Sequence, residues 1–234
     1  MSKTNQPIED DIYLEILTLG LIGKLKRTNG ITALNIEKRI PCNRLTICGW
    51  EQFNGISLPA DLKEFYSSTD GFFVAWKYQK DGEEASGEIK IYSLSNVRRI
   101  NLIHQRKLKG QLSDNICKTE PYLKSSLTMN NSHLNRNSNI SMAFVLSHHH
   151  NVGTICLVYN LEKEPQNSIP TNKFNLPSIW MLDVAHNWHF LANDFSSYFR
   201  MMLAHVGLEQ WQFKFTSFGL TTICRVCINS SILD

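Results

Sequence analysis

The chain has 234 residues, 42% hydrophobic and 19% charged, a balance with ample core-forming material for a globular domain. Its net charge of +3 is too small to imply a nucleic-acid or membrane partner. No basic N-terminal region precedes an apolar core, and the run Leu14 to Leu25 is broken by Glu15, Gly20, Gly23 and Lys24. It falls short of the roughly 20 apolar residues a membrane span needs, so a soluble intracellular protein is expected.

Residues 1–7 are polar and expected to be flexible. From Ile8 to Arg27 the pattern is helical: Leu14, Leu17, Leu21 and Leu25 form one stripe with Ile12, Ile16 and Leu19 alongside. Acids at the start and Lys24, Lys26 and Arg27 at the end complement the helix dipole, and Asn29-Gly30 stops the helix. Ile31, Ala33 and Ile36 give a weak strand signal, followed by Leu45, Ile47 and Trp50 between Asn43 and Gln52.

Leu58 to Trp76 reads as helix, turn and strand. Pro59 suits a helix start, Asp61 and Glu64 favour its positive end, and Leu62, Phe65 and Tyr66 continue one apolar stripe from Leu58. Asp70-Gly71 is expected to end the helix, because glycine can adopt the left-handed conformation of a C-cap. Phe72, Val74 and Trp76 then point to one face of a strand and Phe73 and Ala75 to the other. With both faces apolar, this strand is expected to be central and covered on both sides.

A charged hairpin loop is expected over Tyr78 to Gly87, a strand over Glu88 to Leu94, and a helix capped by Ser95 or Asn96 running to Ile103. Between Arg98 and Lys124 seven Lys or Arg face only Asp114 and Glu120, and the stretch leads into NNSHLNRNSN. This is expected to be a solvated insertion; a basic arm for an acidic partner is the sharper alternative. Strands follow around Met142, Phe144 and Leu146, then from Thr154 to Tyr159, with a polar loop from Glu162 to Pro177. A further hairpin is expected from Ile179–Leu182 and Asn187–Phe190, turned at Asp183 to His186. Asn193-Asp194 starts a last helix through Phe195, Tyr198, Phe199, Met202, Leu203 and Val206, ended by Gly207. Helices at the ends and strands between them predict an α+β fold, with a mainly antiparallel central sheet flanked by helices.

The chemistry-bearing candidates are few. Adjacent residues point in different directions, so His148-His149-His150 is expected to be a solvated turn rather than a metal site. Six unevenly spaced cysteines do not form a disulfide framework. Cys156 is expected in the core, and the CxxC of Cys224 and Cys227 lacks partners at zinc spacing. Asp183, His186 and His189 could serve an enzyme, but no GxSxG, phosphate-binding loop or GxGxxG is present. No catalytic residue, metal or cofactor is therefore expected. Trp211, Phe213, Phe215 and Phe218 either pack over the core as alternating strand positions or form a docking patch for a partner.

Three ordered segments carry a resemblance: GWEQFNGISLPADLKEFYSSTDGFFVAW, the strand around GTICLVYN, and IWMLDVAHNWHFLANDFSSYFRMMLAHVGLEQWQFKFTSFGL. They resemble the family of tubulin polyglutamylase complex subunit 2. The pattern LPxDLKxFYxxxxGF also looks like the SUKH superfamily, an α+β fold that works mainly through protein contacts. Pro59, Phe65, Tyr66, Gly71, Trp76, Trp180 and Trp188 are the residues that would shape the fold. The resemblance implies a single SUKH-like domain over residues 8–220, with a polar, basic insertion at about 104–140 and a divergent end at 221–234. It further implies a non-catalytic scaffold in a complex that adds glutamates to tubulin tails, the ligation belonging to a tubulin-tyrosine-ligase-like partner. Other complex subunits would be its partners, with tubulin reached directly or indirectly. The location would be cytoplasmic and microtubule-associated, with centriolar or ciliary-base pools. A SUKH-type adaptor with an unrelated partner is the alternative.

Overall fold

The computed structural model describes residues 15–100, 140–160 and 176–219. The start at 1–7, nearly all of the insertion, most of the 162–177 loop, and the 221–234 end with its CxxC lie outside these residues.

The first helix is broken where one continuous helix was expected. Leu19 and Gly20 take left-handed backbone (φ 52° and 79°), so the turn around Glu15 to Leu17 ends and α1 (Leu21–Arg27) starts afresh. Leu21, Ile22 and Leu25 are buried, whereas Ile16 and Leu19 are exposed.

β1 (Ile31–Glu37), β2 (Phe72–Lys80) and β3 (Glu83–Ile91) form an antiparallel sheet in that order. The expected loop over Tyr78 to Gly87 is instead strand, reversed by Asp81-Gly82 alone. Both residues have positive φ (54° and 84°), which suits the tight turns that match strand twist. Gln79 and Glu84 face each other across the hairpin and bond at 2.9 Å, so polar side chains reinforce the ladder. β2 is central as expected, but its coverage is one-sided. Phe72, Val74, Trp76 and Tyr78 are buried, while Phe73 and Ala75 are only half-buried.

α2 (Arg44–Asn54) begins at Asn43, whose side chain accepts the Thr46 N–H at 2.8 Å, and closes on Gly55 in left-handed conformation. α3 (Ala60–Ser68) follows Pro59 and buries Leu62, Phe65 and Tyr66. It ends on an extended Thr69, so Gly71 is not its cap. The positive φ of Gly71 (85°) serves the entry into β2, where the chain passes against the backbone of residues 91–93.

The helix expected from Ser95 does not form over the described residues. A 3-10 turn at Leu94–Asn96 leads into extended chain, and Arg98 to Ile100 pair with the edge of β4 (Ile140–His149). Ala143 O accepts the Ile100 N–H, and Arg98 O accepts the Val145 N–H, each at 2.9 Å. β4, β5 (Gly153–Asn160), β6 (Ser178–Asp183) and β7 (Trp188–Ala192) form a second antiparallel sheet in chain order. Two sheets thus replace the one central sheet expected, linked where Tyr92 N–H donates to Leu146 O at 2.7 Å. The class is α+β.

α4 (Phe195–Ala204) is capped by Asp194, which accepts the Ser197 N–H at 2.7 Å. It packs on α3 through Phe65–Phe195 and Phe65–Phe199 ring contacts at 4.9 and 5.6 Å. Asp61 adds a polar tie by accepting the Ser196 N–H at 2.9 Å. After α4 the chain turns at Gly207 (φ 67°) and lies against β3, where Glu88 N–H donates to Gly207 O at 2.7 Å.

Candidate functional site

Among the described residues, two clusters set an acid beside a histidine. In the β6–β7 hairpin, Asp183 Oδ2 lies 2.8 Å from His189 Nε2, and Oδ1 accepts the Asn187 N–H at 2.7 Å. Burial by itself pushes the Asp183 carboxyl up, but hydrogen bonds from His189 and Asn187 outweigh it and hold the group below its usual value. His186 sits in the turn with φ 61° and is exposed. The His189 ring meets Phe218 at 5.6 Å, and among the described residues it reaches no hydroxyl or thiol. A nucleophile relay needs such a third group. What the pair does here is close a hairpin.

The second cluster joins the sheets. His148 and His149 are the end of β4, not a free turn, because the ladder with β5 runs through His149–Gly153. His149 Nε2 lies 3.2 Å from Ser147 Oγ, and Nδ1 lies 3.3 Å from Glu88 Oε1 on β3. The bond from His149 holds the Glu88 carboxyl down against the opposing burial, and Lys90 helps. His148 turns elsewhere, to Thr154 Oγ1 at 3.1 Å, so the three histidines diverge. Among the described residues no three His, Cys, Asp or Glu are grouped to hold a metal. Cys156 is buried and free, and burial pushes its thiol up. The Cys42 thiol is pushed up to about 12 by burial and by Asp70.

The aromatic run after α4 divides. It forms a 3-10 helix (Trp211–Phe215) rather than a strand, so its side chains fan out instead of alternating. Trp211 is buried and stacks on His205 at 5.0 Å; Phe213 is half-buried. Phe215 and Phe218 reach water, 40% and 64% exposed.

The shaping residues fall in two places. Phe65, Tyr66 and Trp76 are in the main core, where Trp76 Nε1 donates to Val206 O at 2.8 Å and Tyr66 OH to Tyr92 O at 3.0 Å. Trp76 also fills the space over Gly87, where any side chain would collide with the indole. Trp180 belongs to a second cluster with Ala143, Cys156 and Val158, on the other side of the second sheet, and the half-buried Trp188 packs against it.

One surface feature was not legible beforehand. Leu45 was grouped with Ile47 and Trp50 as apolar signal, yet it is 83% exposed, as is Phe53 at 89%. Only the i, i+8 spacing of the two residues hinted that they share a face.

The two acid–histidine pairs of this α+β protein thus tie strands together, and apolar side chains stand out on its surface. Comparison with known proteins names the class. The chain is 32% identical to tubulin polyglutamylase complex subunit 2 of Homo sapiens, over 89% of this chain and 67% of that protein. The same subunit of Mus musculus and of Rattus norvegicus is 31% identical over 94% of this chain and 73% of each relative. No protein-family model matches, and no solved structure matches. The chain belongs to the tubulin polyglutamylase complex subunit 2 family.

Proposed function

We propose that this chain is a non-catalytic scaffold subunit of a tubulin polyglutamylase complex, supporting glutamate-chain addition to tubulin tails by a tubulin-tyrosine-ligase-like partner. The observation that carries this reading is the 31–32% identity to a named complex subunit, spread over 89–94% of the chain. The employment of its close-set acid–base pairs supports it: Asp183–His189 closes a hairpin and Glu88–His149 ties β3 to β4. Residues 8–220 act as one SUKH-like domain shaped by Pro59, Phe65, Tyr66, Gly71, Trp76, Trp180 and Trp188. Phe215 and Phe218 are docking residues, with Trp211 and Phe213 as the packed base beneath them. The protein works in the cytoplasm on microtubules, including centriolar and ciliary-base pools, and meets tubulin directly or through a neighbouring subunit.

Co-expression of the tagged chain with the other complex members, followed by glutamylation of tubulin-tail peptides, tests this. Stoichiometric co-purification is expected, with activity that disappears when the ligase-like subunit is omitted. Failure to associate with any complex member refutes the scaffold reading, and activity from the chain alone refutes the non-catalytic one. A partner set without tubulin-modifying proteins points instead to a SUKH-type adaptor.

A further inference from the structure

The outward face of α2 has no use within the described fold. Its inward face is fully employed: Ile47 is buried, Trp50 Nε1 donates to Val97 O at 3.2 Å, and the Trp50 ring meets Phe144 at 5.3 Å. Glu51 accepts the Leu58 N–H at 2.6 Å and pairs with Lys63 at 2.8 Å. On the other face Leu45, Gly49 and Phe53 follow at i, i+4 and i+8 and form one stripe. Phe53 is 89% and Leu45 83% exposed, and a Cβ placed on Gly49 would meet nothing within 4 Å. Two large apolar side chains therefore stand two turns apart with a notch between them. Ridges along i±4 rows are what a second helix packs into, and a small central residue lets the axes come close. Glycine in a helix interior also costs helix stability, so the notch is a local sacrifice without compensation among the described residues.

Charge narrows the occupant. Arg44 is exposed at the start of the stripe, and Ile40 just upstream is 86% exposed. The first turn of α2 holds no acid, and Glu51, the helix's acidic residue, is on the opposite face bound to Lys63. The charge at the start of the stripe is thus basic, beside an apolar centre. Self-association fits less well. A two-fold contact would set this face against its own copy, where the first turn of α2 has no acid to meet Arg44.

We propose that the Leu45–Gly49–Phe53 face of α2 is a docking surface for an amphipathic helix of another complex subunit, its apolar stripe flanked by acidic residues. One large side chain of that helix enters the Gly49 notch, between Leu45 and Phe53, and its acids face Arg44. This rests on the scaffold reading above.

The test uses the full chain co-expressed with the other complex subunits, comparing wild type with Phe53→Glu, Gly49→Leu and Arg44→Glu. Phe53→Glu is expected to weaken capture of one subunit by roughly tenfold or more, with the melting temperature unchanged. Gly49→Leu raises helix propensity, so it should raise the melting temperature while weakening the same capture. A purely structural role cannot move those two readouts in opposite directions. Arg44→Glu should weaken capture more at low salt than at high salt. A photo-crosslinker at position 53 should label an acidic, amphipathic segment of that subunit. If wild type captures no subunit, the scaffold reading itself fails. If wild type and all three variants capture equally, the docking surface alone fails. Sedimentation showing a wild-type dimer that Phe53→Glu dissociates, with capture retained, would replace the partner helix by a second copy.

Discussion

Gly71→Ala probes the junction of α3 and β2 where the chain has least room. Gly71 has φ 85°, and a Cβ there would stand 2.7 Å from Ile91 O, Ser93 N and the Tyr92 carbonyl carbon. All three are backbone atoms at the end of β3, so none can swing aside as a side-chain tip could. Alanine in left-handed conformation costs about 1–2 kcal/mol. Forcing a methyl into packed backbone adds about 1–3 kcal/mol. The expected loss is about 2–5 kcal/mol, or about 5–20 °C in melting temperature for a chain of this size. Gly55→Ala is the matched control: Gly55 has φ 65°, but its Cβ would meet nothing within 4 Å. It should lose only the conformational part, about 1–2 kcal/mol. Thermal melts and urea titrations of both variants measure the difference directly. Equal shifts for the two substitutions would refute the close-approach reasoning.

Trp76→Phe removes the donor to Val206 O and leaves a buried carbonyl unpaired, which costs about 1–3 kcal/mol before any cavity is counted; urea unfolding reads it. Asp183 has its pKa lowered from 3.8, so the folded state favours the carboxylate. Its contribution is fully present above the unfolded value and is lost as pH falls through the lower folded value. Asp183→Asn should therefore be less stable at neutral pH and lose less on acidification below about pH 4, followed by denaturation midpoints across pH. His205 titrates in the other region. Burial against Trp211 lowers its pKa from 6.5, so the unfolded chain takes up the proton more readily. Stability should decline as pH drops from about 6.5 towards the folded value, and His205→Phe should flatten that decline in melts at pH 5 to 8.

Much of the secondary structure was legible because it depends on neighbours in sequence. Pro59, Asp194 and the apolar stripes of α3 and α4 act within a turn or two, and the β6–β7 hairpin is marked by its own turn. The errors have both long-range and local causes. The segment after Asn96 has helical capping residues, but the edge of β4 offers it backbone partners 45 residues away, and ladder pairing overrides propensity. The loop expected over Tyr78 to Gly87 became strand because Asp81-Gly82 reverses the chain in two residues and aligns Gln79 with Glu84. The candidate groups behaved alike. That Asp183 and His189 belong to one hairpin was readable; that they bond across it, and that His149 reaches Glu88, 61 residues earlier, was not.

The sequence by itself determined the α+β class, which rests on local patterns of apolar, capping and turn residues, and the family, which rests on ordered segments that resemble its members. Tertiary structure alone decided which apolar residues are core and which are surface. Trp211 and Phe218 look alike in one aromatic run, and Leu45 and Ile47 in one helix, yet one of each pair is buried and the other stands in water. Burial is set by what the rest of the chain brings against a side chain, and that information is not written beside the residue.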